Sequence, residues 1–94
     1  MKNVSLVDPR QSKSLKAARV ILSPGEEIGE HVTAGREEII LVLKGEAVLV
    51  IGEEKMLLRE GDVHFIGEGI SHNVRNESRE SAEYVYVIAL SRPG

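Results

Sequence analysis

Glycine-centred turns divide this chain into apolar runs too short for helices, and that spacing directs it to an all-β fold. Leu15 to Leu22 mixes Val and Ile with small residues and ends at Ser23-Pro24-Gly25, a turn. Ile28 to Thr33 reads as a second strand and Glu38 to Lys44 as a third, followed by a break at Gly45-Glu46 and by Ala47 to Ile51. Gly52-Glu53-Glu54 makes a hairpin into Lys55 to Arg59, and Glu60-Gly61-Asp62 turns into Val63 to Ile66. Beyond the loop Gly67-Glu68-Gly69, His72 to Val74 is a short strand and Tyr84 to Leu90 the closing one, with a frayed end expected at Arg92-Pro93-Gly94. Short strands in this number predict a closed or sandwich-like β fold. Met1 to Ala18 leaves one alternative open, a helical turn.

Period-two alternation assigns faces. Glu38, Ile40 and Val42 share one side of their strand, and Ile39, Leu41 and Leu43 share the other. Apolar residues on both sides predict burial on both, beneath a second sheet or a partner chain. In the next short strand Val63 and Phe65 are expected to point inward, leaving His64 to face a sheet or partner outside, with a role in the pocket as the alternative. Tyr84 and Tyr86 share a face, either lining a pocket or filling an aliphatic core.

A length of 94 residues allows one domain, residues 1–94, whose small core favours a homodimer. The formal net charge is -3, with both signs interspersed and no basic stripe carrying aromatics, so nucleic acid is not an expected partner. The chain has no cysteine, which excludes disulfides, thiolate catalysis and cysteine-ligated metals. Its longest apolar run, Ile39 to Leu43, cannot cross a bilayer, and Met1 to Arg19 lacks the apolar centre of a signal peptide. No membrane association is expected, and the expected location is cytoplasmic.

The chemistry-bearing residues fall in two segments, 25–45 and 61–76. Gly25, His31, Glu38 and Gly45 occupy the first, and Gly61, Gly69, His72 and Asn76 the second. Imidazole and carboxylate groups bind transition metals, and their setting among glycines puts them at strand ends. In these residues the chain resembles the small single-domain cupins of the cupin superfamily. That family's first motif reads G-x5-H-x-H-x4-E-x6-G and its second G-x5-P-x-G-x2-H-x3-N. Eight of the ten specified positions are matched at the right spacing; Thr33 replaces the second histidine and Gly67 the proline.

The resemblance implies an all-β cupin fold, a jelly-roll-like double-stranded β-helix barrel. It implies that His31, Glu38 and His72 occupy three of four metal-ligand positions, for a divalent transition metal such as Zn, Mn, Fe or Ni. Thr33 stands at the missing fourth. A neutral hydroxyl is a poor ligand, so Thr33 marks either an open coordination position or a site that has stopped binding metal. The first function implied is a metal-dependent enzyme, isomerase- or dioxygenase-like, on a small polar metabolite. The alternative is a non-catalytic cupin that binds or senses a small-molecule ligand through a degenerate site, and a third reading is a dimer with a vestigial pocket. No catalytic base outside the ligand set can be named. Arg36 and Arg75 are expected to be solvated charges rather than anion anchors, Asn76 to bond backbone at a turn, and Glu37 to point outward.

Overall fold

Alternating apolar residues need a second surface to cover them, and this chain supplies it by folding into two facing sheets. The computed structural model describes residues 1–90, with the backbone alone at Leu90; the end expected to fray at Arg92-Pro93-Gly94 lies outside the described residues. Within them the strands are β1 (Lys2–Val7), β2 (Leu15–Leu22), β3 (His31–Val32), β4 (Arg36–Lys44), β5 (Glu46–Ile51), β6 (Glu54–Arg59), β7 (Val63–Ile66), β8 (Ser71–Arg75) and β9 (Ala82–Leu90). One sheet runs β1-β2-β9-β4-β7 and the other β3-β8-β5-β6, every pairing antiparallel. There is no helix among the described residues, hence none long and apolar enough to cross a membrane.

The core lies between the sheets. Val20, Leu22, Ile40, Val42, Ile66 and Tyr84 project from the five-stranded sheet, and Ala47, Leu49, Leu58 and Val74 from the four-stranded one. Their burial is the main driving force for closing the two layers. The two sequence motifs are also tied to each other at their outer ends. Gly25 N donates to the Asn76 carbonyl at 2.8 Å, and Asn76 N to the Glu26 carbonyl at 2.9 Å.

Four expectations need correction. Lys2 to Val7 is a strand, with side chains almost wholly exposed, so it carries no inward-outward alternation to reveal it. The chain then makes the single helical turn posed as an alternative, the Asp8 carbonyl accepting from Gln11 N and Ser12 N, and no helix follows. The strand expected over Ile28 to Thr33 shortens to His31–Val32. Gly29 takes a φ of +103° and turns its N–H to the Asn73 side chain instead of a ladder partner.

The faces of β7 are reversed. Ile66 is 1% exposed, whereas Val63 and Phe65 are 59% and 58% exposed. Ile66 pairs with Glu38 and His64 with Ile40, so His64 takes the inner face, half-buried. A strand of four residues with apolar groups at three positions does not declare its parity. Finally, no second sheet of the chain covers the outer side of β4, where Ile39 and Leu43 are exposed.

Gly45 links β4 to β5 with a φ of +74°, and a Cβ there would lie 2.5 Å from the Ser81 carbonyl oxygen. Both the backbone conformation and the contact with main chain exclude a larger residue. Gly45→Ala is therefore expected to cost about 1–3 kcal/mol from backbone strain alone. Thermal denaturation checks this: the melting temperature should fall by roughly 4–8 °C per kcal/mol lost.

Candidate metal centre

Cross-strand pairing brings the two motif histidines together. In the β3–β8 ladder His31 lies opposite His72, and their rings stand 4.3 Å apart between centroids at 59°. Each ring is aimed by its own backbone. His31 Nδ1 is 2.9 Å from the Gly29 carbonyl and His72 Nδ1 is 2.9 Å from the Ile70 carbonyl. A carbonyl can only accept, so Nδ1 carries the proton in both rings and Nε2 is left as the free lone pair. A glycine with positive φ stands just before each histidine, Gly29 for His31 and Gly69 for His72.

Glu38 comes from the opposite sheet. It occupies an inner position of β4, 5% exposed, with Oε1 3.3 Å from His72 Nε2. One ligand atom from each of His31, Glu38 and His72 can be chosen so that all lie within 4.8 Å of one another. These are the three residues that the sequence motifs single out, and the fold assembles them across the gap between its layers.

The polar atoms here are not satisfied by the protein. Glu38 Oε1 and His72 Nε2 are buried without a hydrogen-bond partner, as is Thr33 Oγ1 two residues after His31, outside the cavity lining. His72 Nε2 and Glu38 Oε1 are close enough to pair as charges yet poorly aligned for a hydrogen bond. With Nδ1 as donor, a neutral His72 sets one acceptor against another at this separation, an arrangement that needs a cation. A proton can serve: the Glu38 carboxylate raises the His72 pKa above the ordinary imidazole value, against the opposing effect of burial. A metal ion also serves. Donors around a cation at roughly 2.0–2.2 Å are naturally about 3 Å from one another, and two nitrogens with a carboxylate oxygen suit Zn, Mn, Fe and Ni. The residues present fit such an ion.

A cavity of about 290 Å³ opens beside the centre. Its lining includes Lys16, Ile28, His31, Glu38, Tyr84 and Tyr86. Tyr84 belongs to both of the alternatives posed for it, packed in the core and facing the cavity. Burial raises its pKa and the Glu38 charge raises it further, so the phenol stays protonated. Lys16 is a cavity residue that inspection of the sequence passed over, although the alternation Lys16, Ala18, Val20, Leu22 carries the signal.

The remaining candidates lie outside the centre. Arg75 pairs with Glu27 and Glu77, Glu37 is exposed, and Arg36 is half-buried. His64 is neither in the cluster nor in the cavity lining. Asn76 does bond backbone: its Nδ2 donates to the Leu22 and Glu80 carbonyls at 2.9 and 2.7 Å, while Oδ1 accepts from Ser78 N and Oγ. Asn76→Asp puts an oxygen where the buried Leu22 carbonyl and the part-buried Glu80 carbonyl need a donor. It should cost about 2 kcal/mol or more, read from urea unfolding, and denaturation at the native midpoint would refute this bracing role.

Comparison with known proteins gives the family and the fold. The sequence model of the cupin domain matches residues 18–88. An oxalate-binding protein of Thermotoga maritima is 34% identical over 79 residues, which are 84% of this chain and 65% of that protein. The chain thus spans just under two thirds of that relative's length. The crystal structure of a predicted oxalate decarboxylase from Thermotoga maritima superimposes with a TM-score of 0.86 at 31% identity, covering 94% of this chain and 78% of that one. A protein from Thermus thermophilus gives a TM-score of 0.86 at 33% identity, covering 98% of this chain and 85% of that one.

Proposed function

This chain belongs to the cupin family, and from that premise we propose that it holds a divalent transition metal on His31, Glu38 and His72 and binds a small carboxylate metabolite there. The observation that carries the reading is the convergence of three donor groups, two with free Nε2 lone pairs aimed by backbone carbonyls, around buried atoms that no protein group satisfies. When bound, the cation supplies a Lewis-acidic centre for oxygen ligands. The Thermotoga maritima relative named for oxalate binding supports a carboxylate as the ligand class.

The protein's own groups favour capture over turnover. Among those lining the cavity, Glu38 is part of the donor set, Tyr84 is held protonated, and Glu30 accepts a hydrogen bond from Ser71 Oγ at 2.8 Å. Outside the donor set the lining thus offers one carboxylate among the described residues, Glu30, on the exposed rim. The second reading, an isomerase- or dioxygenase-like enzyme, is favoured by Thr33: a hydroxyl at a ligand position leaves more of the cation open to substrate.

Metal analysis of protein purified without chelator or affinity tag tests the reading. Close to one transition-metal ion per chain is expected, with affinity lower by at least roughly 10–100-fold in His72→Ala. Metal-free protein that cannot be reconstituted would overturn it. Oxalate should raise the melting temperature of the metal-loaded protein through mass action and leave the metal-free protein unchanged.

The outer face of the five-stranded sheet supports a second proposal, the homodimer. Ile39 and Leu43 of β4 and Val63 and Phe65 of β7 stand exposed together, with Ile39 directly opposite Phe65 in the ladder. A second copy of the chain would cover this apolar face. Sedimentation at micromolar concentration should give about twice the 10.3 kDa chain mass, and a species at the chain mass alone would contradict it.

A further inference from the structure

We propose that Lys16 is a ligand anchor, its ammonium group pairing with an outer oxygen of a carboxylate seated at the His31–Glu38–His72 centre and so selecting small anions. This rests on the metal-centred reading and assigns a role to a residue that the reading leaves unused.

Sheet register places Lys16 level with the centre. Lys16 lies opposite Ile88, and Ile88 lies opposite Glu38, so the three form one row across β2, β9 and β4. Two interstrand steps of about 4.8 Å put the backbones of Lys16 and Glu38 roughly 10 Å apart. Both are on the inner side: Ala18, Val20 and Leu22 continue the Lys16 face into the core, as Ile40 and Val42 continue that of Glu38. A flexible four-carbon stem spans much of the intervening distance. Lys16, His31 and Glu38 accordingly line the same cavity.

The charge on Lys16 is not committed elsewhere. Arg10, Arg19, Lys55, Arg59 and Arg75 all pair with acids, whereas Lys16 has no ion pair among the described residues. Two acids line its cavity, Glu38 within the donor set and Glu30, which keeps its charge while accepting from Ser71 Oγ and forms no ion pair with Lys16. Around Ile88 the adjoining cleft adds Lys13 and Arg36, so positive charge gathers at the mouth although the chain as a whole is at -3. Such a field draws anions in, and a charge-assisted contact then holds them. The wall between offers Ile28, Val74 and Ile88, which are apolar. An anion with oxygen donors at one end and a second negative oxygen at the other satisfies both poles.

Lys16→Met removes the charge at nearly constant length, and Lys16→Arg keeps it. Each variant is loaded with Mn(II), whose binding is followed separately by the resonance of the free ion, and titrated calorimetrically with oxalate. Mn(II) affinity should stay within about twofold of native in both, since neither change touches a donor. Oxalate binding should weaken by at least roughly tenfold in Lys16→Met and recover to within about threefold in Lys16→Arg. Its salt dependence should flatten in Lys16→Met, which a purely structural role would not produce. Native oxalate affinity in Lys16→Met would overturn the proposal. Native protein that takes Mn(II) but no oxalate also overturns it while leaving the metal site standing. Lys16-dependent oxalate binding without any Mn(II) uptake would instead overturn the metal-centred reading and retain the anchor.

Discussion

Two buried acceptors held 3.3 Å apart set the problem that this structure has to solve. His72 Nε2 and Glu38 Oε1 come from opposite sheets, and it is the packing of Leu22, Ile40, Leu49 and Ile66 between those sheets that keeps them together. Left to themselves, a neutral imidazole and a carboxylate would separate and hydrate. Here the fold holds them dry, so the favourable occupant is a positive charge. The backbone carbonyls of Gly29 and Ile70 reinforce the preference by accepting hydrogen bonds from Nδ1–H of both histidines, which leaves Nε2 turned to the centre. Scaffold and centre are therefore coupled: the core fixes the positions, and the backbone carbonyls fix the ring orientations.

Much of this was legible in the sequence because glycine turns and apolar alternation are local signals. The bounds of β2 and β7 were read as they stand, and most other strands differ by a residue or two at an end. The misreadings share a cause, which is that the deciding contact lies elsewhere in the chain. Gly29 interrupts β3 because Asn73, far along the sequence, offers its N–H a side-chain acceptor. The parity of β7 follows from pairing Ile66 with Glu38, which its own four residues do not reveal. β1 carries no buried face to announce it.

At the site, the donor residues were visible through their motif spacing, while the groups that support them were not. Nothing in the sequence around His31 and His72 says that the carbonyls two residues back will hold the rings. Lys16 escaped notice for a different reason. An inward position at the open end of a barrel is exposed to solvent, so it accepts a charged residue and breaks the apolar pattern by which inner faces are recognised. Residues at cavity mouths are thus the ones that hydrophobic periodicity is least able to find, and they are the ones a ligand meets first.

The central claim is that the positive charge at this centre is a metal ion held by three named side chains. Anomalous diffraction from crystals of protein grown and purified without chelator measures this directly. One strong peak is expected at a transition-metal absorption edge, roughly 2.0–2.2 Å from Nε2 of His31, Nε2 of His72 and a carboxylate oxygen of Glu38. A clear map with no peak between these groups, even after soaking with Zn(II) or Mn(II), would contradict it.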